Sequence, residues 1–225
     1  MGDRFIPEIQ GNLRRHMIRV PHVIEEVSGI RIFGKLIKSL VFTTDVAIIR
    51  NCNANAVIAV YPFTPQPIIT HSIINCSDVP VFCGVGGGTT TGKRVCNLAE
   101  DAEFQGAMGV VVNAPTPNET IAYLNQKIEI PIVITVVSEK TDIDKRLEAG
   151  ASILNVSGAA NTYKIVQEIR RRYPSVPIIA TGGPTDESIL RTIDAGANAI
   201  TYTPPTSGDI FKDMMVRYRN ADTLI

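Results

Sequence analysis

The chain has 225 residues, with 22 basic and 22 acidic side chains and a formal net charge of zero. That balance gives no electrostatic case for nucleic acid or an acidic membrane surface, and no run approaches the roughly 18 apolar residues of a membrane span. Cys52, Cys76, Cys83 and Cys96 form no CxxC pair and have no histidines at zinc spacing, and no apolar signal stretch opens the chain. The expectation is therefore reduced thiols in a cytoplasmic protein.

Taken in chain order, residues 5–27 carry Ile9, Leu13 and Met17 four apart, the spacing of one helical face, with Pro21 placed to break the helix. This predicts a helical cap over 1–29, which could also make a dimer contact. A first strand is expected to end near Phe42, with Thr44 or Asp45 capping a short helix. Asn55 to Phe63 reads as the second strand, stopped by Pro62 and Pro65, and Val79 to Cys83 as the third, running into a glycine loop. Five more Val- and Ile-rich runs follow: Met108 to Asn113, Pro131 to Val137, Ala151 to Ser157, Val176 to Thr181 and Asn198 to Thr203. Their centres lie about 20–25 residues apart, the repeat of a parallel sheet with a helix on each crossover.

The intervening stretches carry apolar stripes at helical spacing, read as core: Ile121, Leu124 and Ile128; Ile165, Val166, Ile169 and Tyr173; Ile189, Leu190, Ile193 and Ala197; and Phe211, Met214, Met215 and Tyr218. Eight strands and eight helices in one length predict a single α/β domain over 1–225: a (βα)8 TIM barrel over 30–219, an extra N-terminal helix, and a tail at 220–225. The alternative, a doubly wound open sheet, would show GxGxxG after its first strand, and this chain does not.

In such a barrel the chemistry sits at the C-terminal strand ends. Gly182 and Gly183 follow the Val176–Thr181 run and open a helix, an arrangement that offers backbone N–H groups to phosphate. Pro204 and Pro205 after the last strand offer no N–H, which removes half of such a cradle, although Ser207 and Gly208 could replace it. The loop after the third strand holds Gly86, Gly87 and Gly88, three threonines and Lys93. It is one residue short of a Walker A loop, and Arg94 stands where that motif needs a hydroxyl, so it reads as an anion-holding loop over the mouth. Lys38 and Glu139 are the candidate proton-handling pair. Tyr61, Asn113, Asn155, Ser157 and Tyr202 are expected to orient a substrate. This neutral lining suits an uncharged polyol or carbonyl; no metal and no cofactor is expected, because oxygen-type metal sites need several converging carboxylates. His16, His22 and His71 lie away from strand ends.

The stretch Ile178 to Gly183, with Glu187 to Ile189 and Asp194 to Ile200, resembles the phosphate-binding barrels of the ribulose-phosphate type, a group of sugar-phosphate epimerases, aldolases and related enzymes. Over nearly its whole length the chain resembles a family of uncharacterised bacterial TIM barrels loosely labelled "hydrolase". That resemblance rests on Lys38 to Asp45, Ala59 to Gln66, Phe82 to Gly88, Gly109 to Pro115, Leu154 to Gly158 and Thr201 to Pro205. The glycerol-responsive antiterminator barrels are similar more distantly. These resemblances imply an aldolase-type barrel enzyme for a small phosphorylated metabolite, acting as isomerase, lyase or hydrolase, or else a metabolite-sensing barrel without chemistry. They also imply a homo-oligomer. The usual Schiff-base lysine is absent from the run Ile153 to Ser157.

Overall fold

In the computed structural model the described residues are 16–220 together with 5, 7–9, 11 and 12. Eight parallel strands close into a barrel: β3 (Ser39–Phe42), β4 (Ala56–Ala59), β5 (Val81–Gly86), β6 (Gly109–Val112), β7 (Ile132–Val136), β8 (Ile153–Val156), β9 (Ile178–Thr181) and β10 (Ala199–Tyr202), which returns to pair with β3. Between and after them run α1 (Val46–Arg50), α2 (Pro67–Cys76), α3 (Lys93–Phe104), α4 (Asn118–Asn125), α5 (Ile143–Glu148), α6 (Thr162–Arg172), α7 (Asp186–Asp194) and α8 (Ser207–Arg219). The (βα)8 TIM barrel read from the repeat is the fold. Asp45 caps α1 as expected, its carboxylate accepting from the Ala47 and Ile48 amides.

Strand alternation divides the apolar residues into two sets. One set faces the helices: Val41, Val57, Cys83, Val110, Val112, Ile134, Leu154, Ile178 and Ile200 pack with helix residues such as Val95, Ile121, Val166 and Ile189. The other set fills the barrel: Leu40, Ala56, Ile58, Phe82, Val111, Val133, Ile153, Ile179 and Ala199. Each fully buried Val, Ile or Leu contributes about 1.5–3 kcal/mol, so both layers hold the closed sheet.

Two features differ from the sequence reading. The stretch before Phe42 is not one strand. It contains an antiparallel hairpin, β1 (Ile30–Ile32) with β2 (Lys35–Ile37), ahead of β3. Ile30, Ile32 and Ile37 of this hairpin join the barrel's inner cluster next to the N-terminal strand ends, so the hairpin plugs the bottom. The charged residues that interrupted the apolar run are its exposed positions, among them Arg31 and Lys35.

The N-terminal helix is a 3₁₀ helix, His22–Glu26, with Pro21 at its start. Residues 16–20 are not helical; Ile18 bridges to Cys52, its amide donating to Asn51 and its carbonyl accepting from Asn53. Ile9 and Met17 are exposed, and Leu13 and the tail residues 221–225 lie outside the described residues. The 3₁₀ helix packs on α7, and Ile24 and Val27 are buried in the outer cluster with Val41, Ile48 and Ile49. It thus covers ground between α7 and α1, where the last helix of a barrel ring would lie.

The fourth apolar stripe is the other departure. No residue of α8 is buried, and Phe211, Met214 and Tyr218 stand in solvent, so this stripe is not core.

Candidate functional site

The inward-facing positions change character toward the C-terminal strand ends. Above the aliphatic layer stand Asn113, Thr135, Asn155, Ser157, Thr181 and Thr201, one polar step further along β6 to β10 or just beyond them. Asn155 and Thr135 are register partners on adjacent strands, as are Thr201 and Thr181. The Asn155 amide donates to Thr135 Oγ1 at 3.4 Å, and Thr181 Oγ1 donates to Ser157 Oγ at 3.3 Å.

Two polar atoms of this layer lack a partner. Asn155 Oδ1 and Thr201 Oγ1 are buried and unbonded, in side chains only 8% and 6% exposed. An unpaired buried polar group costs about 1–3 kcal/mol, so each of these two atoms calls for a hydrogen-bonding partner beyond its neighbouring side chains.

A cavity of about 230 Å³ opens beside this layer, between the ends of β4, β5 and β6. Its walls are Val60, Tyr61, Pro62, Phe63 and Pro65 on one side, and Gly84, Gly86, Gly88, Thr89, Thr90, Val111 and Asn113 on the other. Inward-facing Gly84 creates the space: a Cβ there would stand 3.1 Å from Val60. Tyr61 is the ionisable side chain of this lining, and its hydroxyl accepts from the Gln66 amide at 3.0 Å. None of the inward-facing strand positions is ionisable.

The glycine loop has a defined shape. Gly87, at φ +99°, donates to Thr90 O, and Asn113 N donates to Gly86 O. A Cβ on Gly87 would fall 2.1 Å from Thr116 Oγ1 and 2.7 Å from Asn113 N, so only glycine lets the β5 loop touch the β6 loop. Gly87 is therefore a packing residue with its N–H already engaged. Gly88, by contrast, has open space on its Cβ side. The facing loop of residues 114–118 is held by Arg146 of α5, which donates to Ala114 O, Thr116 O and Asn118 Oδ1.

Several expected site residues lie elsewhere. Lys38 precedes β3, so it sits at the bottom of the barrel, where its ammonium donates to Glu25 O and stands 3.9 Å from the Glu25 carboxylate. Glu139 follows β7 at the opposite end, exposed in a crevice with Ile165, Glu168, Arg172 and Tyr173 of α6 and its end. The two are not brought together, because the hairpin shifts Lys38 below the strand it was read into. Tyr202 is also displaced. Alternation turns Thr201 inward and Tyr202 outward, where it packs on the outer cluster and burial raises its phenol pKa. The N–H of Gly182 donates to Thr201 O, and Gly183 takes φ +88° against Ser188. The α7 start they lead into is closed by a Thr185–Ser188 capping box and carries Asp186 and Glu187 in its first turn. Those carboxylates oppose an anion there. Both glycines do line a groove of about 470 Å³ with Tyr163 and Arg191. Sequence reasoning did not single out Thr181 and Thr201; each is the polar residue that follows an apolar run buried on both faces, so only closure of the barrel shows that it turns inward.

No family model and no curated protein matches the chain. Solved structures of similar fold include a phosphonopyruvate hydrolase (TM-score 0.62, 12% identity, 81% of this chain and 82% of that one). Others are a phosphoenolpyruvate phosphomutase from Streptomyces platensis subsp. rosaceus (TM-score 0.60, 12% identity, 88% and 83%) and a 2,3-dimethylmalate lyase of the PEP mutase/isocitrate lyase superfamily (TM-score 0.61, 12% identity, 93% and 84%). At these identities the likeness is one of fold, an aldolase-type barrel. Among the described residues no helix is long and apolar enough to cross a membrane.

Proposed function

We propose that the chain is a TIM-barrel enzyme acting on a small phosphorylated metabolite with a hydroxyl-bearing body, a sugar or polyol phosphate, through isomerase, lyase or hydrolase chemistry. The observation that carries this reading is the pair of buried, unpaired atoms Asn155 Oδ1 and Thr201 Oγ1 in the polar layer of the mouth. Asn155 Nδ2 donates to Thr135, and its amide oxygen Oδ1, which can only accept, has no donor among the described side chains, so a ligand hydroxyl is the natural donor. Asn113, Ser157 and Thr181 extend the same neutral surface. The phosphate is assigned to the loop of Gly86, Gly88, Thr89 and Thr90 at the rim of the adjoining cavity. Tyr61 is the proton-handling candidate within reach of that cavity, in place of Lys38 and Glu139.

The names of the fold neighbours, enzymes of phosphonopyruvate, phosphoenolpyruvate and dimethylmalate, agree with a catalytic barrel. A related phosphonopyruvate hydrolase is known in complex with oxalate and Mg++. A divalent ion of that kind needs several converging oxygen donors. The described residues contain no group of three or more His, Cys, Asp or Glu that could hold one, so no step is routed through a metal.

A second reading, a metabolite-sensing barrel, is favoured by one observation: among the described residues none of the inward-facing strand positions is ionisable. A thermal-shift screen with triose, pentose and hexose phosphates and their free counterparts, followed by product analysis of each hit, separates the two. Ligand at about 100 times its Kd adds about 2.7 kcal/mol of stability. A shift from a phosphate ester but not its free polyol, with chemical conversion, is the expected result. A shift without conversion supports the sensor, and silence from every phosphate ends both readings.

A further inference from the structure

Between β5 and α3 the chain leaves a run of backbone donors without acceptors. The amides of Gly88, Thr89, Thr90, Thr91 and Gly92 bond to nothing among the described residues. Those of Lys93 and Arg94 open α3, where no intrahelical carbonyl exists for them, and Gly92 at the N-cap has no side chain to supply one. These consecutive N–H groups lead into the positive end of a 12-residue helix. The surrounding charge does not compensate. α3 has no acidic residue in its first turn, where Lys93 and Arg94 stand instead. Among the described residues neither cation makes a salt bridge. Cations at a helix N-terminus oppose the dipole, so this end of α3 carries positive charge that its own neighbours leave uncancelled. A side chain gives an independent sign of a ligand. Thr90 is only 5% exposed, yet its hydroxyl makes no hydrogen bond among the described residues. Leaving a buried hydroxyl unpaired is unfavourable, and Thr90 lines the cavity between β4, β5 and β6 together with Gly86, Gly88 and Thr89.

We infer, resting on the phosphate reading above, that the start of α3 seats the phosphoryl group and takes a phosphate monoester as its dianion. The donors are the free amides from Gly88 to Arg94 and the Thr90 hydroxyl, and Lys93 and Arg94 supply the countercharge. A monoester presents three terminal oxygens and close to two negative charges at neutral pH. A diester has one charge and one terminal oxygen fewer, and a carboxylate also has a single charge. The monoester therefore matches a cradle of successive amides, a hydroxyl and two cations most fully. The order of strand, glycine loop and helix with a lysine at its start is that of loops that cradle phosphate on backbone amides. Arg94 takes the place of the hydroxyl that holds Mg²⁺ in those loops, so here the chain's own cations meet the phosphate charge. Arg94 lines a groove that shares Pro65 with the cavity. The start of α7, the other glycine-led helix start, is closed by its Thr185–Ser188 capping box and carries Asp186 and Glu187.

The test uses the full chain and two probes, methyl phosphate and dimethyl phosphate, followed through backbone amide chemical shifts. Near pH 8 methyl phosphate should move the signals from Gly88 to Arg94 and leave those of Gly182, Gly183 and Thr185 in place. Dimethyl phosphate should bind at least about tenfold more weakly, and so should methyl phosphate near pH 5, where it has regained its second proton. Thr90→Val keeps the shape and removes the hydroxyl. Because that hydroxyl bonds nothing in the free protein, the melting temperature should hold while affinity for methyl phosphate falls by about fivefold or more. Lys93→Gln combined with Arg94→Gln should weaken binding by about tenfold, with an unchanged circular dichroism spectrum. Monoester shifts confined to Gly182, Gly183 and Thr185 overturn the inference but leave a phosphate ligand in place. So do equal affinities for the two probes, or wild-type affinity in both variants. No shift from either probe ends the inference and the phosphate reading together.

Discussion

Asn155 on β8 and Thr135 on β7 face each other across one rung of the barrel, the amide Nδ2 standing 3.4 Å from the hydroxyl. That one bond fixes the orientation of the amide and leaves its Oδ1 facing the mouth without a donor. Replacing Asn155 with Leu, of similar volume, removes the orphan acceptor along with its desolvation cost. Stability should change by no more than about 1 kcal/mol, while affinity for a hydroxyl-bearing phosphate ester should drop by roughly tenfold. Denaturant melts and ligand-induced shifts measure the two effects separately. Unchanged ligand affinity in Asn155→Leu would remove this residue from the site.

The glycine loop makes a paired prediction. Gly87→Ala introduces a Cβ 2.1 Å from Thr116 Oγ1 at φ +99°, so either the β5 loop or the β6 loop must move. A loss of about 2 kcal/mol or more is expected. Gly88→Ala meets no atom within 4 Å and should cost less than about 0.5 kcal/mol. Equal melting temperatures for the two variants would contradict the close contact between these loops.

Arg146 holds the loop of residues 114–118 through two carbonyls and one side-chain amide, and burial lowers its pKa from the ordinary arginine value. Arg146→Ala should destabilise by about 2–4 kcal/mol, since hydrogen bonds to charged groups contribute about 1.5–3 kcal/mol each net of exchange with water, and at this half-buried site water can replace part of the set. Arg146→Lys should recover little, because an ammonium cannot span the three acceptors as a planar fork does. Hydrogen exchange should rise most around Asn113 and Thr116. A full rescue by lysine would show that charge alone suffices there.

Burial pushes the Cys83 thiol up to about 12. The folded state therefore keeps the proton that the unfolded thiol releases near pH 9. The stabilisation is complete below that pH and is lost as pH rises toward 12, by about 1.4 kcal/mol per unit for one group. Above pH 9 wild type should thus lose stability relative to Cys83→Val, compared with their separation at pH 7. Parallel curves would show that Cys83 does not contribute to this linkage. Alkylation of the native protein at pH 8 should spare Cys83 and modify it only on unfolding.

The barrel was legible in the chain because its strands are short, apolar and evenly spaced, and because alternation along a strand is a local property. Gly109–Val112, Ile132–Val136 and Ile153–Val156 announce themselves residue by residue, and Asn155 is recognisable as the polar break in an inward-facing row. Asp45 as a helix cap is local chemistry of the same kind. What the sequence could not determine depends on contacts between distant segments. Lys38 lies at the bottom because the hairpin of Ile30 to Ile37 folds under the barrel, and nothing within that stretch distinguishes it from one interrupted strand. Tyr202 and Thr201 differ by one residue, and only closure of β10 on β3 decides which of them faces inward. The stripe on α8 has the pattern of a core helix. It is exposed because a segment some 190 residues earlier, His22–Glu26, packs on α7 ahead of it, and competition for a packing site is a property of the folded whole.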